Sequence, residues 1–562
     1  ERNGLFTPTT LNAGRNVGGA ATVSARKVKS FINENFLTYT KQFNTKHTFS
    51  ALGGVSYQKF INESFGANSQ SFLSNSVSFW NLGGGSVSLP GNSALTESTL
   101  ASAYARLNYN FSDKYLLTFN GRYDGSSNFS KNNKWAFFPS AALAWNMHNE
   151  QFMNRVDFIS SFKWRLSYGL TGNQAISPYQ TLARFSPVFT VLNGAAVNAV
   201  RPTTIANDNL KWETTAQQNI GVDIGIFKGR VNVTADYYIS KTSDLLFNVQ
   251  LPQYSGYTTQ LKNIGKIENK GFEFAINTKN LVGKFQWNTD FNISFNRNKV
   301  VELPGGNDII YAFAPGHMVG ISNSAQVLRV GQPVGSFFGW QYNGVYQQGA
   351  TFIPGAGFEQ VVGGESFRDI SGKKDATGKP LNEPDGLLNG DDRTVIGNPN
   401  PDFIWGLNND FNFHNFDLNI FFQGSQGNDL LSYTLLELET LSAINNSTKV
   451  ALNRWTPANT NTNVPKVATG RPQRVSSRWI FDGSYIRLKN LALGYSLPAN
   501  FMKRVKVQRV RMYISAQNIL TFTDYRGYDP EVNYRNANLN AGVDYGSYPN
   551  AISYTAGLNI TF

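Results

Sequence analysis

"AISYTAGLNITF", residues 551–562, is a strict alternation of two residue kinds. Ile552, Tyr554, Ala556, Leu558, Ile560 and Phe562 are apolar, and Ser553, Thr555, Gly557, Asn559 and Thr561 separate them. A period of two marks a β-strand whose faces meet different surroundings. Soluble domains usually finish in a frayed polar tail, whereas this strand pattern persists to its last residue.

The same signature recurs upstream. In "ASAYARLNYNF" (101–111), Ala103, Ala105, Leu107, Tyr109 and Phe111 share one face, while Tyr104, Arg106, Asn108 and Asn110 share the other. "FQWNTDFNISFN" (285–296) sets Phe285, Trp287, Thr289, Phe291, Ile293 and Phe295 against Gln286, Asn288, Asp290, Asn292, Ser294 and Asn296. "RVNVTADYYIS" and "NFDLNIFFQ" behave alike. About ten residues of such alternation match a tilted β-crossing of a bilayer. We count about 18 crossings, the first near residues 17–27.

Connections alternate in length. Tight turns are expected at 44–46, 112–114, 228–229, 282–284 and 414–415. Long connections are expected at 63–98, 173–209, 348–401, 425–475 and 520–550, with shorter ones at 249–265 and 302–317. Short turns on one side and long loops on the other are the asymmetry of outer-membrane barrels, periplasmic and extracellular respectively. The physical reason is that hydrocarbon offers no partner to a backbone N–H or C=O, so only a helix or a closed barrel can span it. Tyr109, Phe111 and Tyr115, at strand ends, suit the interfacial aromatic girdles. The last strand is expected to close the barrel. Tyr554, Leu558, Ile560 and Phe562 are then its lipid-facing membrane-insertion signal.

Composition agrees. Charged residues are 15% and aromatics 14%, with 51 glycines, no cysteine and a mean hydropathy of −0.31. No apolar run approaches the length of a transmembrane helix. Without cysteine, disulfides and thiolate metal sites are excluded. Lys and Arg outnumber Asp and Glu by 50 to 37, giving +13. The one concentrated basic stretch, Lys503 to Arg511, reads as a solvated rim beside a turn, so nucleic acid is not an expected partner. The chain opens on Glu1 without an initiator Met or signal peptide, as the remainder of a longer precursor would.

Several blocks resemble the SusC/RagA family of TonB-dependent outer-membrane transporters. They include "DKYLLTFNGRYDGSSNFSKNNKWAFFPSAALAW" (113–145), "DNLKWETTAQQNIGVDIGIF" (208–227) and "GQPVGSFFGWQYNGVYQ" (331–347). "DRTVIGNPNPDFIWGLNNDF" (392–411), "DGSYIRLKNLALGYSLP" (482–498) and "QNILTFTDYRGYDPEVN" (517–533) follow in family order. The resemblance implies an all-β, transmembrane antiparallel barrel of 22 strands around an N-terminal plug. It also implies a SusD-like surface lipoprotein as partner, energy from the TonB complex, and oligosaccharide or peptide as cargo. Residues 1–562 are expected to be its C-terminal barrel part, with the plug, the TonB box and about four strands outside it. A passive pore or a structural outer-membrane scaffold is the competing reading, and a soluble all-β protein is the third.

The resemblance further suggests a calcium loop, for which Asp369, Asp385, Asn389, Asp391 and Asp392 are the candidate ligands around the turn at Gly386. The alternative is an acidic surface turn braced by Asp392 or Arg393. His47, His148, His317 and His414 are scattered, and no nucleophile, zinc or phosphate-loop motif occurs, so no enzyme is expected. Ligand contacts are expected from outer-loop aromatics, which can stack on a sugar face or pack on a peptide side chain: Trp80, Tyr254, Tyr257, Tyr311, Phe313 and Tyr528. Loop packing or contact with the lipoprotein is the plainer role for each. Arg106 and Arg122 are expected to face the lumen and to pair with plug carboxylates.

Overall fold

The computed structural model describes residues 1–257, 259–311, 318, 325–377, 380–442, 446–498, 501–502, 507–532 and 538–562. Sixteen strands form its principal sheet. In chain order they are β1 (Arg2–Thr7), β2 (Ala20–Phe43), β3 (His47–Phe72), β4 (Gly85–Phe111), β5 (Tyr115–Ser126) and β6 (Trp135–Asn146). Then come β7 (Ile159–Asn173), β8 (Glu213–Ile226), β9 (Val231–Ser243), β10 (Lys266–Val282) and β11 (Phe285–Glu302). The last are β12 (Phe403–Phe413), β13 (Phe416–Gln426), β14 (Tyr485–Ser496), β15 (Arg509–Thr523) and β16 (Ser553–Thr561). Each pairs with its neighbours in this order. No helix among the described residues is long and apolar enough to cross a membrane.

The alternation of short and long connections holds for most of the wall, the exception being β6, where 127–134 is shorter than 147–158. Residues 44–46, 112–114, 227–230, 283–284 and 414–415 link strands at one edge. Residues 174–212, 303–402, 427–484 and 524–552 link them at the other. Among the described residues the principal sheet has sixteen strands where about 18 crossings were expected, and two boundaries differ from expectation. Residues 20–27 of the expected 17–27 crossing belong to β2, which runs unbroken to Phe43, and the expected loop at 63–98 shrinks to 73–84 because β3 and β4 continue into it. Alternation reports unlike faces. A strand that outruns the bilayer keeps its ladder but has water on both sides, so its pattern fades while its hydrogen bonds do not.

The chain divides into two compact units. The first holds residues 1–144, 167–217 and 242–264. Leu107, Phe119, Tyr123, Phe137 and Leu143 are exposed on its apolar face. On the opposite face Arg106 Nε donates to Asn120 (2.7 Å), and Arg122 binds Asp124 (2.7 Å) and the Ser102 hydroxyl (2.8 Å). The described partners of these two arginines are therefore neighbouring wall residues. The loops are secured by a small core of Phe129, Phe138, Ile176, Leu210 and Trp212, whose indole donates to Lys134 O (2.9 Å).

The second unit holds residues 145–166, 218–241 and 265–562. Ile514, Met512, Tyr554, Leu558 and Ile560 are exposed on one face, with Met512 opposite Leu558 and Val510 opposite Ile560. Phe562 is also exposed. The polar face is knit across β12, β13 and β14: Asn419 donates to Asn408 (2.7 Å) and Asp410 (2.8 Å), and Asn490 donates to Asn419 (2.7 Å). Such ladders keep each amide satisfied next to a low-dielectric layer, where an orphan would cost several kcal/mol, on the order of 2–7. The long connections build their own core. Phe337 of a four-stranded sheet and Leu431 of a three-stranded one are buried together with Tyr433, Leu436, Val475 and Trp479.

Candidate functional site

The second unit's connections enclose a cleft of about 510 Å³. One wall is the strand Tyr342–Val345, paired antiparallel with Glu365–Phe367. Gly344 is in the left-handed region (φ 91°), which a side chain resists, and a Cβ there would crowd the Asn463 side-chain oxygen Oδ1 at 3.3 Å. The opposite wall begins at the helical turn Tyr433–Glu439, started by Ser432, whose hydroxyl accepts from the Leu435 amide (3.2 Å). That turn buries Leu435 and Leu436 and delivers Glu439 to the cleft.

Charged groups organise the floor. Arg478 donates to Glu365 (3.0 Å) and to the Glu439 carbonyl (3.0 Å), with its guanidinium 5.4 Å from the Tyr342 ring centroid and 4.4 Å from that of Trp479. Arg526 clamps the Glu439 carboxylate through two bonds (2.6 and 3.2 Å), and the Thr448 hydroxyl adds a third (2.6 Å). Arg471, fully buried, joins Glu359 (3.1 Å) to the carbonyls of Thr440 and Lys466 (2.7 Å each). Burial pushes the Glu365 carboxyl above its usual range against the pull of Arg478 and Arg471, and burial also raises the Tyr342 phenol. The Tyr342 hydroxyl donates to Asn463 O (2.6 Å). The result is a rigid polar cleft: carboxylate and guanidinium at fixed positions, one aromatic face, and amide groups at the rim. It suits a ligand dense in hydroxyl or amide groups.

The aromatic residues singled out from the sequence are distributed otherwise. In the first unit, Trp80 ends a 3₁₀ segment (Asn75–Trp80) with the Arg2 guanidinium 5.9 Å from its ring, and Tyr254 is exposed in the loop between the paired segments 246–250 and 259–263. Tyr257 is half-buried, and its amide donates to the Ser255 hydroxyl (3.3 Å). In the second unit, Tyr311 donates to Leu539 O (2.9 Å) and Tyr528 is exposed. Phe313 lies outside the described residues. None of the described five lines the cleft. Tyr342, Glu439, Arg478 and Arg526, which do, are polar or aromatic residues on short elements or loops within the long connections. Only the quoted blocks "GWQYNGVYQ" and "TDYRGYD", each containing one of them, hinted at importance.

The acidic turn is a backbone brace. Asp392 is fully buried, and its carboxylate accepts the amides of Ile370 (2.9 Å), Ser371 (3.2 Å) and Asn389 (2.8 Å). Asp369 accepts from the amides of Asp385 (3.3 Å) and Gly386 (2.6 Å), Asp385 from that of Leu387 (2.9 Å), and Asn389 from that of Asp391 (2.7 Å). Among the described residues no three His, Cys, Asp or Glu side chains are gathered to hold one metal ion. Asp392→Ala should strand three amides and cost about 2–4 kcal/mol of local stability. The check is limited proteolysis: cleavage within 369–392 should accelerate at least tenfold with and without added calcium, and an unchanged pattern would refute the brace.

Residues 2–369 match the family model described as TonB dependent receptor-like, beta-barrel. TonB-dependent receptor P3 of Formosa agariphila is 50% identical over 100% of this chain and 55% of that protein. TonB-dependent receptor SusC of Bacteroides thetaiotaomicron is 33% identical over 83% of this chain and 44% of that protein. Among solved structures, the RagAB peptide transporter aligns at a TM-score of 0.82 and 26% identity, covering 97% of this chain and 56% of that one. The chain thus spans about half the length of the curated relatives it matches.

Proposed function

Because the chain belongs to the TonB-dependent receptor-like β-barrel family, whose members sit in the outer membrane of Gram-negative bacteria, we propose that its cleft captures a polar nutrient for import. The family's proteins are receptors and transporters rather than enzymes. The cargo is an oligosaccharide or a peptide. A SusD-like surface lipoprotein covers the outer connections, and the TonB complex supplies energy through a plug carried outside residues 1–562. One observation carries this reading: the Tyr342–Glu439–Arg478–Arg526 cleft, where charge, hydrogen-bond capacity and an aromatic face meet in the long connections. The likeness to a peptide transporter supports the peptide arm, and the SusC-like sequence supports an importer as opposed to a scaffold.

The test is uptake of fluorescent oligosaccharide and oligopeptide pools by cells carrying the whole protein. Wild type should give saturable uptake that requires TonB. Arg526→Lys keeps the counter-charge of the buried Glu439 carboxylate but loses the two-pronged donor at the cleft edge, and should raise the half-saturating concentration about tenfold or more, with unchanged membrane levels. Uptake that is linear in concentration and indifferent to TonB would establish the passive pore instead.

A further inference from the structure

A second feature lies on the apolar face of the first unit, beside its short turns. Cross-strand pairing sets two rows side by side near the short turns. Phe43, His47, Phe111 and Tyr115 form the outermost row across β2 to β5, and Lys41, Phe49, Tyr109 and Leu117 form the next. Phe43, His47, Phe49 and Tyr109 line a shallow groove of about 430 Å³. The ring of His47 is fixed there by a 2.7 Å hydrogen bond between Nδ1 and the Tyr109 hydroxyl, and it packs 4.9 Å from the Phe111 ring.

The margin of this groove is basic. The Lys41 ammonium lies 5.0 Å from the centroid of the Phe43 ring, so a side chain rooted one row inside the apolar face leans back to its edge. Lys46 stands in the adjoining turn, and both lysines are exposed without an ion pair among the described residues. The acid in the neighbouring turn, Asp113, is engaged by Asn110 (2.5 Å). An apolar trough in a lipid-facing surface, with unpaired cations at its water-side end, complements an amphiphile that has an anionic head and a hydrocarbon tail.

We propose that this groove is a binding site for an anionic glycerophospholipid of the periplasmic leaflet. Its phosphate is held by Lys41, Lys46 and His47, and an acyl chain lies against Phe49 and Tyr109. The groove sits at the edge of the short connections, which selects this lipid over lipid A, whose phosphates lie in the outer leaflet. The site is separate from the nutrient cleft and does not depend on the cargo.

The experiment is native mass spectrometry of the whole protein purified from outer membranes, delipidated and titrated with phosphatidylglycerol, alongside phosphatidylethanolamine and lipid A. Phosphatidylglycerol should be retained in preference to both. Lys41→Gln with Lys46→Gln should lower its retention about tenfold or more. Equal retention by the variant, or preferential retention of lipid A, would overturn the proposal. If the double variant does not assemble, wild type answers the question: phosphatidylglycerol should protect His47 from modification by diethyl pyrocarbonate, and an unprotected His47 refutes the site.

Discussion

Replacing Arg487 with Met should release the outer connection 524–552 from the sheet. Arg487, on β14, is 1% exposed. It donates to Asp529 (2.6 Å), Glu531 (2.7 Å) and the Thr521 hydroxyl (3.0 Å). Asp529 in turn accepts the amides of Glu531 and Asn550 (2.9 Å each). One guanidinium therefore fastens both ends of a long loop to one strand. Met fills a similar volume but leaves a buried carboxylate without its counter-charge, and breaking a buried pair from one side typically costs about 3–5 kcal/mol. Proteolysis within 524–552 should rise at least a hundredfold while the wall strands stay resistant. Asp529→Ala added to Arg487→Met should cost less than it does alone, because the orphaned charge is removed. Strict additivity would show that the two groups are not coupled.

The same cluster has a pH signature. Burial disfavours the Asp529 carboxylate, but the two amides and Arg487 outweigh it and hold the group below its ordinary value of 3.8. A depressed carboxylate contributes stability that is present above the ordinary value and is lost as pH falls through the folded one. The wild-type loop should therefore resist protease down to about pH 4 and loosen only below it. Arg487→Met, lacking the cation, should loosen at a higher pH. An identical acid limit for both proteins would remove Arg487 from this account.

Leu558→Asp is expected to block assembly. Leu558 is 58% exposed on β16 and stands opposite Met512, itself exposed, on the apolar face expected to meet lipid. A carboxylate there must be desolvated, protonated or dragged to the interface, at a cost on the order of 2 kcal/mol or more. The neighbouring polar-face change Asn559→Asp should be nearly neutral, because it points to the wet side. Heat-modifiable gel mobility of the membrane-extracted protein reads both variants. Wild-type amounts of folded Leu558→Asp would reverse the assignment of faces.

The wall was legible in the sequence because its cause is local. Ile552 to Phe562, or Phe285 to Phe295, alternate because one side of each strand meets lipid, and a period of two needs no knowledge of the neighbours. The parity of short and long connections follows from the same chain order. The reach of β2, β3 and β4 was not legible, since beyond the bilayer both faces are wet and only the ladder, a property of pairs of strands, marks the continuation. The brace at Asp392 was half-legible: the acids stood out, but an acidic cluster reads alike whether its oxygens face a cation or backbone amides. The cleft lay deepest. Tyr342, Glu439, Arg478 and Arg526 lie far apart in the chain, in three different long connections, and each is unremarkable until folding buries Glu439 under Arg526 and stacks Arg478 on Tyr342. Desolvation gives these charges their energy, and desolvation exists only once distant segments close over them. Sequence alone determined the membrane-facing half of this protein, through a solvent that dictates residues one by one. Tertiary structure alone decided the polar half, where each side chain's value depends on which partner arrives.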